Sequence, residues 1–264
     1  MPNLVVYWQD KVDLESIAYL VAPYPAYAQG HYLNVFTRDK YNIWVSAVSP
    51  GASVEWKVIL RASSNVAALA CAGYDWTSYS ATLPGTIKVY GSGDGGATWG
   101  AELAELGQMQ IVSGRGFALT DFSAAVSWGA WKFVLAPAET NKQFSLARLM
   151  LLSKWDSGIV WAPGSSGALV LPQVQSPMAD DTPMVTVTGV GRREWRLSFS
   201  RVPYATKAQW EAVVADGRPF CITDNMGLPH YVIPKTGRVD WTQIAGAGAV
   251  ANYYDVTIEL AELP

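Results

Sequence analysis

Apolar and polar residues alternate over five runs of the chain, at residues 54–61, 87–89, 131–135, 195–200 and 254–260. Alternation with a period of two is the pattern of a β-strand that buries one of its faces. Turn residues, chiefly Gly, Pro, Ser and Asn, separate the runs. The pattern therefore predicts a mainly β protein of short antiparallel strands, arranged as a sandwich or jelly roll.

One segment interrupts the strand pattern. Thr206 and Gln209 have the spacing of a capping box, in which two side chains satisfy the free backbone donors of a helix start. Gly217 stands where a left-handed C-terminal cap is expected. We therefore predict a single flanking helix over residues 206–216, with Trp210 on the face that packs against a sheet.

The chain has 264 residues, which is room for two domains of ordinary size. We predict an aromatic-rich N-terminal arm at residues 1–30 and a jelly-roll sandwich at 31–155. The arm packs either on its own domain or on a neighbouring protein. A proline-rich linker or arm at 156–183 then leads to a second β-sandwich, with the helix, at 184–264.

Three tryptophans are candidate assembly contacts. Trp155 and Trp161 flank the start of the proline-rich segment and make it too apolar for a freely solvated linker, so we expect this arm to dock on another surface. Trp210 on the predicted helix is the third candidate.

Composition narrows the classes of partner. The net charge is −3 and no run of Lys or Arg occurs, which argues against specific nucleic-acid binding. No apolar run has membrane-spanning length, and the N-terminus lacks the layout of a signal peptide, so we predict folding in the cytosol without membrane insertion. Cys71 and Cys221 are the only cysteines and fall in different predicted domains. We predict two buried free thiols rather than a disulfide.

The most specific motif is an Asp-box at residues 92–99, SGDGGATW, which is similar to the hairpins of sialidases. Its residues predict a self-contained turn in which the Asp94 carboxylate accepts backbone donors and glycines supply positive φ angles. Sialidase chemistry needs several boxes, an arginine cluster and a nucleophilic Tyr, whereas this chain has one box. The stretch also contains the spacing G-x-G-x-x-G, but it does not open a helix, so we predict no nucleotide binding.

No other constellation predicts catalysis or a bound cofactor. His31 and His230 are the only histidines, and neither has a metal-ligand partner at the usual spacing. The nucleophile motif G-x-S-x-G is missing from the sequence. Glu102 and Glu105 are predicted to lie in a solvated loop or short helix rather than across a hydrolytic cleft. We predict no catalytic, cofactor-binding or metal residues.

Aromatic residues crowd a turn-rich segment at Tyr74, Trp76 and Tyr79. Aromatic faces at the rim of a β-sandwich stack on sugar rings or pack against an adjoining domain or subunit. These three residues are therefore the candidate contacts for a glycan or a protein partner.

Residues 86–99, followed by 131–135 and 146–152, resemble the galactose-binding-like, discoidin-type jelly roll of many carbohydrate-binding modules. In that family a strand ends in a Gly- and Asp-rich hairpin before a Trp, and two late strands follow. The resemblance implies the fold of the N-terminal domain. The family's disulfide, calcium loop and sugar-contacting residues have no match in this sequence, so sugar binding is not implied with the fold.

Residues 201–206, 217–220, 224–225 and 254–260 resemble, in their order and spacing, the minor and distal tail proteins of long-tailed bacteriophages. Those proteins share a tail-tube-like β-sandwich with one flanking helix. The resemblance implies a virion structural protein of the tail tip or baseplate that forms a symmetric ring of its own copies. Its implied partners are the tail tube protein, the baseplate hub and other tail-tip proteins. Host surface glycan and partner proteins are the candidate contacts of its peripheral jelly roll.

Two other functions remain open from the sequence. The first is a carbohydrate-binding module, either free-standing or as the host-adsorption part of a tail protein. The second is a glycosidase, which the single Asp-box and the missing acid and base geometry disfavour.

Overall fold

The structure is a computed structural model of the chain. It describes residues 3–25, 27–37, 44–46, 53–72, 84–106, 110–112, 115–137, 145–160, 165–170, 173–177, 183–187, 191–224, 227–244 and 253–263.

The described chain is built mainly of β-strands. In chain order the strands are β1 (Asn3–Trp8), β2 (Ile17–Leu20), β3 (Tyr27–Gln29), β4 (Trp44–Ser46), β5 (Val54–Ala72), β6 (Pro84–Ser92), β7 (Glu102–Leu106), β8 (Gln110–Val112), β9 (Arg115–Pro137), β10 (Ser145–Leu146), β11 (Arg148–Val160), β12 (Ser166–Val170), β13 (Gln173–Pro177), β14 (Pro183–Val187), β15 (Arg192–Pro203), β16 (Phe220–Thr223), β17 (Pro229–Pro234), β18 (Asp240–Ile244) and β19 (Tyr253–Glu262). The helices are α1 (Tyr204–Ala215) and a short 3-10 helix (Asn34–Phe36). The predicted mainly β class, with antiparallel sheets and one α-helix in the described residues, is confirmed.

The chain divides into two compact units. We call Tyr7–Lys154 the sandwich unit, and Met1–Val6 with Trp155–Pro264 the C-terminal unit. Most of the predicted N-terminal arm thus belongs to the sandwich unit. Much of the predicted linker at 156–183 is extended chain, in the end of β11, in β12 and in β13.

Two antiparallel sheets form the sandwich unit. In the larger sheet β5 pairs with β2, β9 and β11, while β9 pairs with β6 and β8, and β7 completes the edge beside β6. The smaller sheet has the order β10-β4-β3. The predicted alternation is confirmed here, because Trp56, Val58, Trp131 and Phe133 are fully buried.

Aromatic side chains fill the core of the sandwich unit. Trp44 of the smaller sheet meets Trp56 of the larger sheet edge-on, with ring centroids 4.6 Å apart. Phe36, from the 3-10 helix, lies 6.1 Å from Phe133 of β9. Each fully buried large side chain removes apolar surface worth about 1.5–3 kcal/mol from water. Because these side chains touch across the two sheets, the sandwich unit has one continuous hydrophobic core.

The secondary structure of the acidic pair that follows the Asp-box differs from the prediction. Glu102 and Glu105 lie on strand β7 rather than in a loop or short helix. Lys88 of β6 reaches both, with Nζ 2.9 Å from Glu102 Oε2 and 3.4 Å from Glu105 Oε2. The cause is cross-strand pairing, in which opposite charges on neighbouring strands offset a weak intrinsic strand preference.

In the C-terminal unit, β19 is the central strand. It pairs with β15, β17 and β18, and β15 pairs in turn with β12. Strand β16 lies between β17 and β1, and β13 and β14 form a separate hairpin. Leu197, Phe199, Val256 and Ile258 are buried as the alternating pattern predicts.

Helix α1 begins two residues before the predicted start, and the predicted capping box does not form. A bulge after Phe199 places Arg201 at φ 57°, and Pro203 follows with φ −65° as the N-cap residue. Proline holds a φ value that suits the entry of a helix, so the helix starts directly after it and Thr206 lies inside the first turn. The other helix predictions are confirmed: Trp210 is fully buried and Gly217 has φ 64°.

Cys71 and Cys221 are buried and unlinked, as predicted. Burial raises the pKa of the Cys71 thiol far above its usual range, because the thiolate would lose its hydration.

A buried ion pair joins two distant parts of the sandwich unit. Arg148 Nη2 donates to Asp10 Oδ2 at 2.7 Å, and both side chains are less than a tenth exposed. The backbone N–H groups of Val12 and Leu151 donate to the other carboxylate oxygen. Burial raises the pKa of Asp10, and the Arg148 guanidinium opposes that effect. The ion pair therefore fixes the positions of the Asp10 segment and β11 more than it adds net stability to the fold.

We expect Arg148→Met to destabilise the sandwich unit by about 3–5 kcal/mol, because it leaves the Asp10 carboxylate buried without a cation. The double variant Asp10→Asn with Arg148→Met should lose less than the single variant, since no charge is then stranded. Denaturant unfolding of the two variants measures this difference. A double variant that loses as much stability as Arg148→Met, or more, would contradict the role assigned to the ion pair.

Candidate ligand-binding surface

The residues predicted to contact a glycan or partner, Tyr74, Trp76 and Tyr79, lie outside the described residues, as does Trp161. Trp155 and Trp210 are described and lie in the C-terminal unit. Trp210 is fully buried between Phe199, which is stacked 5.8 Å away, and Trp155, which meets it edge-on at 5.3 Å. Trp210 thus belongs to the core of its unit rather than to its surface.

The sandwich unit carries a different group of exposed aromatic rings. We call Tyr24, Tyr27, His31 and Tyr32 the tyrosine cluster. Tyr24 stacks on Tyr32 with ring centroids 4.6 Å apart and planes 8° from parallel. The His31 ring lies 4.0 Å from Tyr32, and Tyr27 tilts against both at 6.0 and 6.5 Å. Tyr24 and Tyr27 are each 49% exposed, so the cluster presents ring surface to solvent.

The buried core holds this cluster in place. The indole N–H of fully buried Trp56 donates to the Tyr32 carbonyl at 3.1 Å. The 3-10 helix starts two residues later and anchors Phe36 in the core. The cluster therefore stands on a rigid support, although Tyr24, His31 and Tyr32 lie in the segments that flank β3.

A local hydrogen bond sets the tautomer of His31. The backbone N–H of Leu33 donates to His31 Nδ1 at 3.2 Å, so Nδ1 acts as the acceptor. The ring proton then lies on Nε2, where no other described residue makes a hydrogen bond with it. His31 thereby offers a directed donor beside three phenol rings, which suits a ligand with hydroxyl groups and an apolar face.

Sequence reasoning missed this cluster. It treated the aromatic residues before position 30 as an arm and weighed His31 only as a metal ligand. The available signal was three tyrosines and a histidine within nine residues, in a segment that Pro23 and Pro25 mark as a turn.

The Asp-box hairpin is the self-contained turn that its sequence predicts. Asp94 accepts the Ser92 hydroxyl at 2.6 Å and the Thr98 backbone N–H at 3.0 Å, and the Thr98 hydroxyl donates to it at 2.5 Å. These hydrogen bonds hold the pKa of Asp94 well below its usual range, and the bond from the Ser92 hydroxyl has the largest effect. Gly91 is required because a Cβ there would overlap the ring of Trp128. The residues of the Asp-box therefore have a structural role within the hairpin itself.

The C-terminal unit has a second exposed aromatic surface, which we call the helix–strand patch. It comprises Tyr204 and Trp241, which are 60% and 48% exposed. Tyr254 lies beneath, 5.5 Å from Trp241 in an edge-on contact. Buried Lys207 completes the packing, with Nζ 4.1 Å from the Trp241 ring centroid, a favourable cation–π distance.

The described part of the chain has neither a cluster of metal-ligating residues nor a membrane-spanning helix. It contains no group of three or more His, Cys, Asp or Glu residues arranged to hold a metal ion. None of its helices has the length and apolar character needed to span a membrane.

Neither the known protein families nor the curated proteins contain a match to this chain. Among solved structures, the module CBM32-3 of a Clostridium perfringens family 31 glycoside hydrolase is 17% identical over 52% of this chain and 90% of that chain, with a TM-score of 0.40. The family 32 carbohydrate-binding module of C. perfringens NanJ, solved with galactose, is 13% identical over 56% and 99%, with a TM-score of 0.42. A pectin-binding module is 16% identical over 52% and 91%, with a TM-score of 0.40.

The lowered pKa of Asp94 gives a pH-dependent prediction. A carboxylate with a depressed folded pKa contributes stability above its ordinary range, and that contribution is lost as the pH falls toward the folded pKa. The difference in unfolding free energy between the wild type and Asp94→Asn should therefore shrink between about pH 6 and about pH 3. Acid-range denaturant titrations measure it, with Thr98→Val as an intermediate case. A difference that stays constant with pH would rule out the assigned hydrogen bonds.

Proposed function

We propose that the chain is a non-catalytic glycan-binding protein that contacts sugar through the tyrosine cluster of its sandwich unit. The single observation that supports this proposal is the exposed stack of Tyr24 on Tyr32, beside the fixed donor of His31. An enzyme would need a second set of groups placed for acid, base or nucleophilic chemistry, whereas a binding surface needs only this kind of cluster.

The chemistry of the cluster suits a pyranose ring. One face of such a ring carries C–H groups that pack on an aromatic face, while its edges carry hydroxyl groups that need hydrogen-bond partners. The cluster supplies both, since phenol rings provide the faces and the His31 Nε2–H and tyrosine hydroxyls provide the partners. Tyrosine also loses little conformational freedom on binding, because only two side-chain torsions are ordered.

Each aromatic ring is expected to contribute a modest free energy to sugar binding. An aromatic contact contributes about 0.5–1.5 kcal/mol beyond area burial. Removing one ring should therefore weaken binding by roughly two- to tenfold, because about 1.4 kcal/mol corresponds to a factor of ten. Single sites of this kind are weak, and detection is best with the protein displayed in several copies.

Tyr24→Ala and Tyr27→Ala should each reduce binding on a glycan array by roughly two- to tenfold, because each removes an exposed ring of the cluster. Tyr24→Phe should keep most of the binding, since the stacking face remains. Tyr19→Ala is the matched control, because Tyr19 is 58% exposed but makes none of the ring contacts of the cluster. Absence of any glycan signal for the multivalent wild type, or equal loss in Tyr19→Ala, would contradict the proposal.

A second candidate function is favoured by the helix–strand patch. We propose, as that alternative, a structural component of a bacteriophage tail tip or baseplate that forms a ring of its own copies within the virion. Trp and Tyr side chains are enriched where proteins associate, and exposed Tyr204 and Trp241 both contact the ring of Tyr254 on the C-terminal unit. A closed ring uses such a surface in heterologous contacts between neighbouring copies. The tail tube protein and the baseplate hub are the partners that this role implies.

Mass photometry tests the second candidate. The wild type should assemble into a symmetric ring, and Trp241→Ala should shift it toward smaller species, because it removes a central aromatic contact. Tyr19→Ala in the sandwich unit serves as the control. A wild type that stays monomeric at high concentration, with no density for it in intact tails, would remove this candidate.

A further inference from the structure

A small cavity opens on the solvent-facing side of strands β12, β15 and β19 in the C-terminal unit. Its volume is about 150 Å³, and a cavity of that size can hold a molecule as large as benzene. The residues that bring a charge or a hydroxyl group to it are Ser166, Glu194, Arg196, Lys235 and Glu259. All five belong to the same compact unit, so the cavity is formed within it.

The register of the strands builds the floor of the cavity. Ser166 of β12 is the cross-strand partner of Arg196 on β15, and Arg196 is the partner of Glu259 on β19. Directly opposite residues project from the same face of a sheet, so these three side chains form one row. Ala168 lines the cavity beside this row, and its small side chain leaves the space open. Leu197, the next residue along β15, is fully buried on the opposite face.

One carboxylate of the cavity is already matched by cations. Lys235 Nζ donates to Glu194 Oε2 at 2.6 Å, and Arg192 Nη2 donates to Glu194 Oε1 at 2.8 Å. The hydrogen bond from Lys235 is the main reason that the pKa of Glu194 lies below its usual range. Glu194 and Lys235 therefore form a paired wall of the cavity.

Arg196 and Glu259 differ from that pair. Within the part of the chain that the structure describes, neither side chain makes a hydrogen bond or an ion pair, although the two are direct cross-strand neighbours. Opposite residues have Cβ atoms about 4.5–5.5 Å apart, which is close enough for a guanidinium and a carboxylate to meet. Both side chains line the cavity instead, and Glu259 is half-buried there. A partly dehydrated carboxylate gains from a cation placed against it.

The charges of the cavity determine which class of ligand it fits. Its two carboxylates and two cations sum to no net charge, so the cavity as a whole attracts neither a simple anion nor a simple cation. The two groups without partners have opposite signs. A guanidinium offers paired N–H donors that match a carboxylate, and a carboxylate accepts hydrogen bonds from an ammonium group. A ligand that carries both groups satisfies both sides of the cavity.

We infer that this cavity is a binding site for a small zwitterion of the α-amino acid class. Arg196 binds the carboxylate of the ligand, Glu259 accepts hydrogen bonds from its ammonium group, and the Ser166 hydroxyl is a further hydrogen-bond partner. Alanine has as many non-hydrogen atoms as benzene, so it fits a volume of about 150 Å³. The site lies in a different unit from the tyrosine cluster, so it is separate from the proposed glycan contact.

Titration of the full chain with L-alanine, followed by amide and arginine side-chain NMR signals, tests this site. The wild type should show saturable shifts at the cavity residues of β12, β15 and β19. The dissociation constant should lie in the millimolar range, because the charged contacts are open to solvent. Propionate lacks the ammonium group and ethylamine lacks the carboxylate, so each should bind at least about fivefold more weakly.

Arg196→Gln and Glu259→Gln should each weaken the binding of L-alanine by about five- to tenfold, since each removes one charge-assisted contact. Arg238→Gln is the matched control, because the ion pair of Arg238 with Asp240 lies outside the cavity. The comparison of the three ligands uses the wild type alone, so it decides the question even where a variant does not fold.

Three results would overturn the inference. They are the absence of saturable shifts with L-alanine, binding of propionate or ethylamine as tight as that of L-alanine, and an equal loss in Arg238→Gln. Failure of glycan binding would leave the expected L-alanine shifts unchanged, because the tyrosine cluster belongs to the sandwich unit.

Discussion

The hydrogen bond from the Trp56 indole to the Tyr32 carbonyl is the contact on which the proposed function depends. Trp56 is fully buried and is packed edge-on against Trp44, so its N–H group has a fixed direction. The bond satisfies a donor that would otherwise be buried without a partner, which costs about 1–3 kcal/mol. It thereby fixes the backbone from which the Tyr32 ring, and the rings stacked on it, reach the surface.

The same constraint, that buried polar groups need partners, explains the main polar features of both units. In the sandwich unit Asp10 is matched by Arg148 and by two backbone donors. In the C-terminal unit His230 is matched by two carboxylates. Each arrangement joins segments that are far apart in sequence and is costly to break, so it selects one fold rather than adding much stability.

Strand patterning made most of the fold predictable. Where one face of a strand is buried, alternation is a strong signal, and residues 54–60, 131–135, 195–199 and 254–260 follow it in the structure. The helix start was less predictable, because the bulge at Arg201 and the backbone of Pro203 decided it rather than the side chains at Thr206. Strand β7 was missed because its acidic residues depend on Lys88 of a neighbouring strand, which local propensity does not report.

The candidate site was not predictable in the same way. The tyrosine cluster has no periodicity, since turns bring its rings together. Its support comes from Trp56, which is 24 residues from Tyr32 in the chain. Sequence analysis could flag aromatic residues in turn-rich segments, and it selected residues 74–79 on that basis. It could not show which segment the core would hold in a rigid position.

The most direct measurement of the central claim is mapping of amide chemical-shift changes while a glycan selected on an array is titrated into the full chain. The account predicts that the changes concentrate at residues 24–33, with the Trp56 indole N–H signal moving as well. Changes that concentrate on the Asp-box hairpin or on the C-terminal unit, with residues 24–33 unmoved, would contradict it.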